Sequence, residues 1–208
     1  MKPLRPIPPP ALVERVQSDL AAVEEVLVAR LTSDVQVVHQ VLSHTLSSGG
    51  KRLRPALLLT AARAAGVTDL TRPKLLAAVL EMIHMATLIH DDVIDDADLR
   101  RGRPTAARVF GNTPAILSGD VLLARAMALL AEDGDLEIIR LVSQVVILLA
   151  EGEAREVEVR GDFYLTEETH LSILDQKTGS LVQLCCELGA MAGRADMQVR
   201  EALATYGH

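Results

Sequence analysis

At 208 residues the chain is of single-domain size, and 49% hydrophobic residues, chiefly Leu, Ala, Val and Ile, suffice for a sizeable core. A formal net charge of −7 argues against a phosphate-backbone binder, and aromatic residues at 2% argue against a base-stacking surface. The partner expected is small and is not a nucleic acid. Cys185 and Cys186 are sequence neighbours, too close for an ordinary disulfide and without metal-ligand spacing, so buried thiols in a reducing, cytoplasmic setting are expected.

Residues 1–10 (MKPLRPIPPP) have no apolar run after their lysine and arginine and read as an extended proline-rich lead-in. Helical periodicity follows almost everywhere, and no window alternates polar and apolar residues as a strand would. A first helix is predicted from about Leu12 to Leu31, and a second from about Asp34 to Leu46, capped by Ser33 or Asp34. Ser47-Ser48-Gly49-Gly50 breaks the chain. Lys51, Arg52 and Arg54 come next, and Pro55 stands in the first turn of a helix over Ala56 to Ala65 that Gly66 closes.

The central helix is predicted to begin near Thr71 and run unbroken to the acids at Asp91. After Gly102 and Pro104 a short helix is expected over Ala106 to Phe110, then one capped by Asn112 or Thr113 that reaches Leu130. Asp133-Gly134-Asp135 makes a turn, and a further helix spans about Leu136 to Val159. Thr166 caps a single helix carrying Leu171 to Met191, and the last begins near Asp196. The run around Val145 to Ala150 is well short of the roughly 20 apolar residues of a membrane span, so no transmembrane segment is expected. With neither a repeat nor a linker, the chain is predicted to be one all-α domain over 1–208, a bundle of antiparallel helices.

The stretch from Glu81 to Thr105, EMIHMATLIHDDVIDDADLRRGRPT, concentrates the chemistry. Asp91, Asp92, Asp95 and Asp96 gather at a helix C-terminus, where the macrodipole already supplies negative charge. Asp91 and Asp95 lie one turn apart, about 6 Å along the axis, with His84 on the same face. Two carboxylates so placed suit Mg²⁺, which keeps several waters and takes its other oxygens from substrate phosphate. The bland alternative is a solvated acidic helix end. Arg100, Arg101 and Arg103 follow the acids, and Lys51, Arg52 and Arg54 stand at another helix N-terminus, so two anions are expected beside one metal. Lys177, taken singly, is equally a snorkelling surface lysine.

These residues resemble the trans-prenyl diphosphate synthases. GGKRLRP (Gly49 to Pro55), the Glu81 to Thr105 stretch, SGDVLLARA (Ser118 to Ala126), Gly152-Glu153 and KTGSL (Lys177 to Leu181) follow that family's landmarks in order. The resemblance implies an isoprenoid-synthase helical bundle and head-to-tail condensation of isopentenyl diphosphate with an allylic diphosphate, dependent on Mg²⁺, in a homodimer. It implies that Asp91, Asp92 and Asp95 form the first aspartate-rich motif, with Asp91 and Asp95 on the metal. Lys51, Arg54, His84 and Arg101 match the isopentenyl diphosphate site, Arg100 an allylic-diphosphate ligand, and Lys177 with Thr178 the pair flanking the developing cation. Ala86 and Thr87 match the positions beneath the growing chain. Their small side chains imply a long product, hexaprenyl to decaprenyl, unless Met82 or Met127 sets the floor.

Two departures stand out. Glu156 occupies a position where the family usually has glutamine, and the family's second DDxxD, expected soon after Tyr206-Gly207, is not reached by His208. The chain is therefore expected to be an N-terminal part of such an enzyme, incomplete at the C-terminus and impaired alone. Competing readings are a di-iron bundle built on Glu81, His84, Glu153, Glu167 and His170, a non-catalytic subunit of a heteromeric synthase, and a terpene cyclase. Glu167 and His170 would be solvated in a first helical turn, which argues against the first. The intact acid and arginine set argues against the second, and a second diphosphate site argues against the third.

Overall fold

Helical segments amphipathic or apolar enough to bury a face must pack on one another. In the computed structural model, which describes residues 16–208, they form an all-α bundle. The proline-rich lead-in and the start of the first helix lie outside the described residues. The helices are α1 (Gln17–Arg30), α2 (Gln36–Ser47), α3 (Leu53–Ala64), α4 (Thr71–Ile94), α5 (Ala106–Phe110), α6 (Asn112–Asp133), α7 (Leu136–Glu158), α8 (Glu167–Leu174), α9 (Ser180–Ala192) and α10 (Met197–Gly207).

α4 is the axis of the bundle. It is apolar on nearly every face, and Leu76, Leu80, Met82 and Ile83 are fully buried among α1, α3, α6 and α9. Its most extensive partner is α6, which is long and apolar enough by length and composition to cross a membrane. Its Leu122, Ala126, Leu129 and Leu130 are buried in the core, and a central helix of a bundle needs the same apolar length. α9 lies close against α3: a Cβ on Gly189 would come within 2.6 Å of the Ala61 Cβ. At the far end of α4 the Arg72 guanidinium forks onto Asp133 (2.8 and 2.7 Å) and also reaches Asp135 (2.9 Å), tying its first turn to the α6–α7 turn.

Several helix ends follow the sequence and some do not. Thr105, Asp135, Thr166 and Asp196 each cap a helix through the side chain. Neither Ser33 nor Asp34 caps α2: the N-cap is Val35, whose N–H donates to the Ser33 hydroxyl at 3.2 Å. Gly111, with φ +89, stands at the head of α6 where Asn112 or Thr113 was expected. The helix after Thr166 is not continuous. Asp175–Gly179 is a π-helical turn between α8 and α9, a feature that the uninterrupted periodicity conceals.

The all-α expectation holds apart from a two-residue ladder. β1 (Leu99–Arg100) and β2 (Arg103–Pro104) pair antiparallel, with Arg100 opposite Arg103. Arg101 (φ +54) and Gly102 (φ +77) form the turn, both left-handed as a type I′ connection requires. Asp96 (φ +49) ends α4 in a Schellman arrangement, with Asp96 N–H donating to the Val93 carbonyl and Ala97 N–H to the Asp92 carbonyl. The acid motif thus turns at once into the arginine hairpin.

Candidate active site

The C-terminal half of α4 divides two cavities. On one face Glu81 and His84, together with the α3 N-terminus and the hairpin tip, line a cavity of about 520 Å³ that includes Lys51, Arg52, Arg54 and Arg101. On another face Ile83, Thr87, His90, Asp91 and Ile94, at helical spacing, line a cavity of about 620 Å³ shared with α6 and α7. The second is walled by Leu123, Val146, Leu149 and Val157, and Asp91, Glu153 and Lys177 bring charge to it.

The basic cavity is assembled from segments far apart in sequence. Gly50 has no side chain, and a Cβ there would stand 3.1 Å from Arg101 Nη1 and 3.3 Å from Arg52 Nη1, so glycine admits both guanidiniums. Arg101 donates to the Gly49 carbonyl and Arg103 Nη1 to the Ser47 carbonyl at 2.6 Å, fastening the hairpin to the α2–α3 loop. Arg52 is left-handed (φ +48) and is held there by ion pairs to Glu24 and, at 2.7 Å, to Glu81. The Arg54 Nε is buried without a hydrogen-bond partner among the described residues. Burial and then the guanidiniums of Arg54, Arg101, Arg100 and Arg52 push the His84 pKa down to about 3. A buried donor left over, and an imidazole that cannot charge, mark a pocket with unspent capacity for an anion.

At the apolar cavity the imbalance has the opposite sign. Burial, then Glu153, push the Asp91 pKa up to about 6, against the pull of Lys177 and Arg100. The Asp91 carboxylate has no ion-pair or hydrogen-bond partner among the described residues, whereas that of Asp92 accepts from Arg100 Nε at 2.7 Å and that of Asp95 from Arg160 Nη2 at 2.6 Å. Lys177 Nζ lies 2.6 Å from Glu153 Oε2 and also bonds Glu156. The π turn swings Lys177 onto α7. Gly152 makes room for it, because a Cβ there would lie 2.8 Å from the Gln176 Cβ and 3.1 Å from the Lys177 Cγ.

A hard divalent cation suits this donor set. The available oxygens are carboxylates, and the under-neutralised Asp91 is the one a cation would relieve. They do not make a full coordination shell: among the described residues no group of three or more His, Cys, Asp or Glu is disposed to hold a metal unaided. Asp95 would have to exchange Arg160 for the metal.

The structure therefore gathers Lys51, Arg54, His84 and Arg101 at one cavity, and Asp91, Lys177 and Thr87 at the other. Arg100 sits between them on Asp92. Two expectations are not met in position. Ala86 is fully buried in the core and does not line the apolar cavity, while Ile83, one turn before Thr87, does. Thr178 is exposed on the π turn and is not a lining residue. Met82, fully buried, and Met127, partly buried, are both absent from the lining of this cavity. Arg160 and Ile83 were given no role from sequence, and Arg52 only a place in an anion-binding run. Arg52 belonged to a visible basic run, but nothing local marks Arg160, whose partner is 65 residues away. The di-iron alternative fails, since Glu81 is taken by Arg52 and Glu167 and His170 are exposed.

A family model described as Polyprenyl synthetase matches residues 35–208. The chain is 39% identical over 198 residues to heptaprenyl diphosphate synthase component 2 of Geobacillus stearothermophilus, covering 95% of this chain and 62% of the relative. It superposes on a decaprenyl diphosphate synthase from Rhodobacter capsulatus with a TM-score of 0.91 at 35% identity, over 96% of this chain and 62% of that one. Against a polyprenyl synthase from Caulobacter crescentus complexed with calcium and isoprenyl diphosphate the TM-score is 0.92 at 35% identity, over 99% and 62%. The chain thus spans about three fifths of the length of these relatives.

Proposed function

Since the chain belongs to the polyprenyl synthetase family, we propose that it supplies the substrate-gathering part of a long-chain all-trans polyprenyl diphosphate synthase. The reaction is head-to-tail condensation of isopentenyl diphosphate with an allylic diphosphate, giving products of about C30 to C50 and free diphosphate. One observation carries this: a single helix, α4, separates a cavity rich in unspent cations from an apolar cavity with carboxylates at its edge.

Isopentenyl diphosphate is assigned to the basic cavity, where Lys51, Arg54 and Arg101 bind its diphosphate and uncharged His84 offers a hydrogen bond. The allylic substrate is assigned to the other face, its hydrocarbon against Thr87, Leu123 and Val146 and its diphosphate near Asp91, Lys177 and Arg100. When bound, Mg²⁺ would be held by Asp91 and Asp95 and would supply the Lewis acidity that neutralises the leaving diphosphate, with Asp92 holding Arg100 beside it. Arg100 and Lys177 add fixed positive charge where the departing oxygen develops negative charge. The apolar walls keep water from the allylic cation while the isopentenyl double bond closes on it. A new carbon–carbon bond replaces the carbon–oxygen bond, and the isopentenyl unit loses a proton.

A heteromeric arrangement is the second reading, because one similar protein is named as component 2 of its synthase. Either way a partner subunit, most simply a second copy, is expected against α6, whose Ile116 and Leu117 are exposed. A cytoplasmic setting suits the two free thiols.

The test is elongation of farnesyl diphosphate by the full-length gene product with isopentenyl diphosphate and Mg²⁺. Elongated polyprenyl diphosphates are expected, and their complete absence overturns the reading. In the same assay Asp91→Ala is expected to lower the rate by about 10²-fold or more; near-normal turnover removes Asp91 from the metal site.

A further inference from the structure

We propose that Glu156 is a positioning residue that holds Lys177 back from the diphosphate, so that an allylic ligand must exchange places with this carboxylate to engage the ammonium. The inference rests on the reading of the apolar cavity's mouth as a diphosphate site.

Two glutamates compete for one lysine, and they stand on different sides of it. Glu153, one of the residues lining the cavity, is mostly buried at 12% side-chain exposure. Glu156, one turn further along α7, is 46% exposed and is absent from the cavity lining. Its bond therefore ties Nζ to a carboxylate outside the lining, in competition with the cavity side that Lys177 shares with Asp91 and Glu153.

Charge points the same way. Asp91, Glu153 and Glu158 of the lining and Glu156 beside them, against Lys177, leave a net charge of about −3 when all are ionised, which repels a diphosphate. A neutral residue at 156 would lower that surplus by about a third. Burial works against the Lys177 ammonium, but its bonds to Glu153 and Glu156 together hold its pKa above the ordinary lysine value. Lys177 is thus fully charged before any ligand arrives.

The turn that carries Lys177 is built at a cost, which sets this contact apart from a casual surface pair. It is π-helical, it is pressed onto α7 where only glycine fits at 152, and it buries the Gln176 Oε1 with no partner among the described residues. Buried Glu153 anchors the turn through Lys177, and Glu156 adds a second, half-exposed contact. Half-exposed ion pairs contribute little net stability, so Glu156 is displaceable by a multiply charged anion.

Calorimetry with farnesyl thiodiphosphate, whose apolar tail selects this cavity, and Mg²⁺ tests the proposal on the wild-type chain, Glu156→Gln, Lys177→Gln and the double variant. Glu156→Gln is expected to bind about three- to tenfold more tightly than wild type. Lys177→Gln is expected to bind more weakly, and adding Glu156→Gln to it to gain clearly less affinity than Glu156→Gln gains over wild type, since Glu156 acts chiefly through the lysine. Unchanged or weaker binding by Glu156→Gln, with Lys177→Gln still weakened, overturns the role of Glu156 and leaves the site reading intact. Binding by Lys177→Gln equal to wild type, or none by wild type, overturns the site reading and the proposal with it. A ligand-free measurement stands apart from both: Lys177 is expected to be acylated faster by an amine reagent in Glu156→Gln than in wild type, and equal rates overturn the proposal.

Discussion

The two cavities on either side of α4 are proposed to hold the same chemical group, a diphosphate, in opposite electrostatic surroundings. In the basic cavity, cations outnumber acids, one guanidinium nitrogen has no partner among the described residues, and His84 is kept neutral. At the apolar cavity, carboxylates outnumber cations and Asp91 is the group left over. A diphosphate that only has to be held can be bound by arginine and lysine alone. One that must leave is placed beside carboxylates, which requires a divalent cation to reconcile the two negative partners and concentrates metal-supported charge at the bond that breaks. Metal dependence is thus expected to reside on one side of the helix.

The sharpest way to break this division is Arg54→Ala. It is expected to weaken isopentenyl diphosphate binding by about 10- to 100-fold, while farnesyl thiodiphosphate binding changes by less than about twofold, both by calorimetry. Equal losses for the two ligands would show that the cavities are not separate sites. A smaller effect is expected on the apolar side. Thr87→Phe should shorten the product of the full-length protein, read by chromatography of the dephosphorylated chains. Ala86→Phe should instead lower stability by about 1–3 kcal/mol, because Ala86 is fully buried in the core and extra volume there must displace its neighbours. Shortening by Ala86→Phe alone would place the floor elsewhere.

The smallest effects concern pH, where the two sides should pull in opposite directions. Asp91 has a folded pKa of about 6 against 3.8 for the unperturbed group, so the folded chain binds more protons in that window. Stability therefore falls as pH rises from 3.8 to 6, and the full penalty is present above it. Asp91→Asn is expected to raise the melting temperature by about 1–3 °C at pH 7.5 and to have little effect at pH 4. His84, at about 3 against 6.5, makes the unfolded chain bind more protons between those values, so its contribution to stability is lost as pH falls through them. Thermal melts of Asp91→Asn and His84→Asn across pH should diverge in sign; parallel profiles would contradict the contrast.

Most of the helices were legible because caps and breakers are local. Thr105, Asp135, Thr166 and Asp196 signal their own helix starts by satisfying nearby N–H groups. The hairpin was not, because its turn pair is Arg101-Gly102 in place of the usual Asn-Gly, and two residues are too few for an alternating pattern. The π turn was hidden because inserting one residue into an apolar helix leaves composition and spacing looking continuous. Ala86 and Thr87 could not be told apart, since α4 is apolar almost all round and periodicity then fails to say which face meets a cavity.

What the sequence determined by itself is the inventory: an all-helical chain, acids at the end of its central helix, cations in two runs, and small residues beneath the acids. These follow from short-range rules of capping, periodicity and charge spacing. Tertiary structure alone decided the pairings: Arg160 with Asp95, Glu156 with Lys177, Arg101 with the Gly49 carbonyl, and Thr87 in place of Ala86 on the cavity wall. Each depends on the rotation of one helix against another or on a turn that reaches across the bundle, and such rotations are set by side-chain packing between segments that do not meet in sequence.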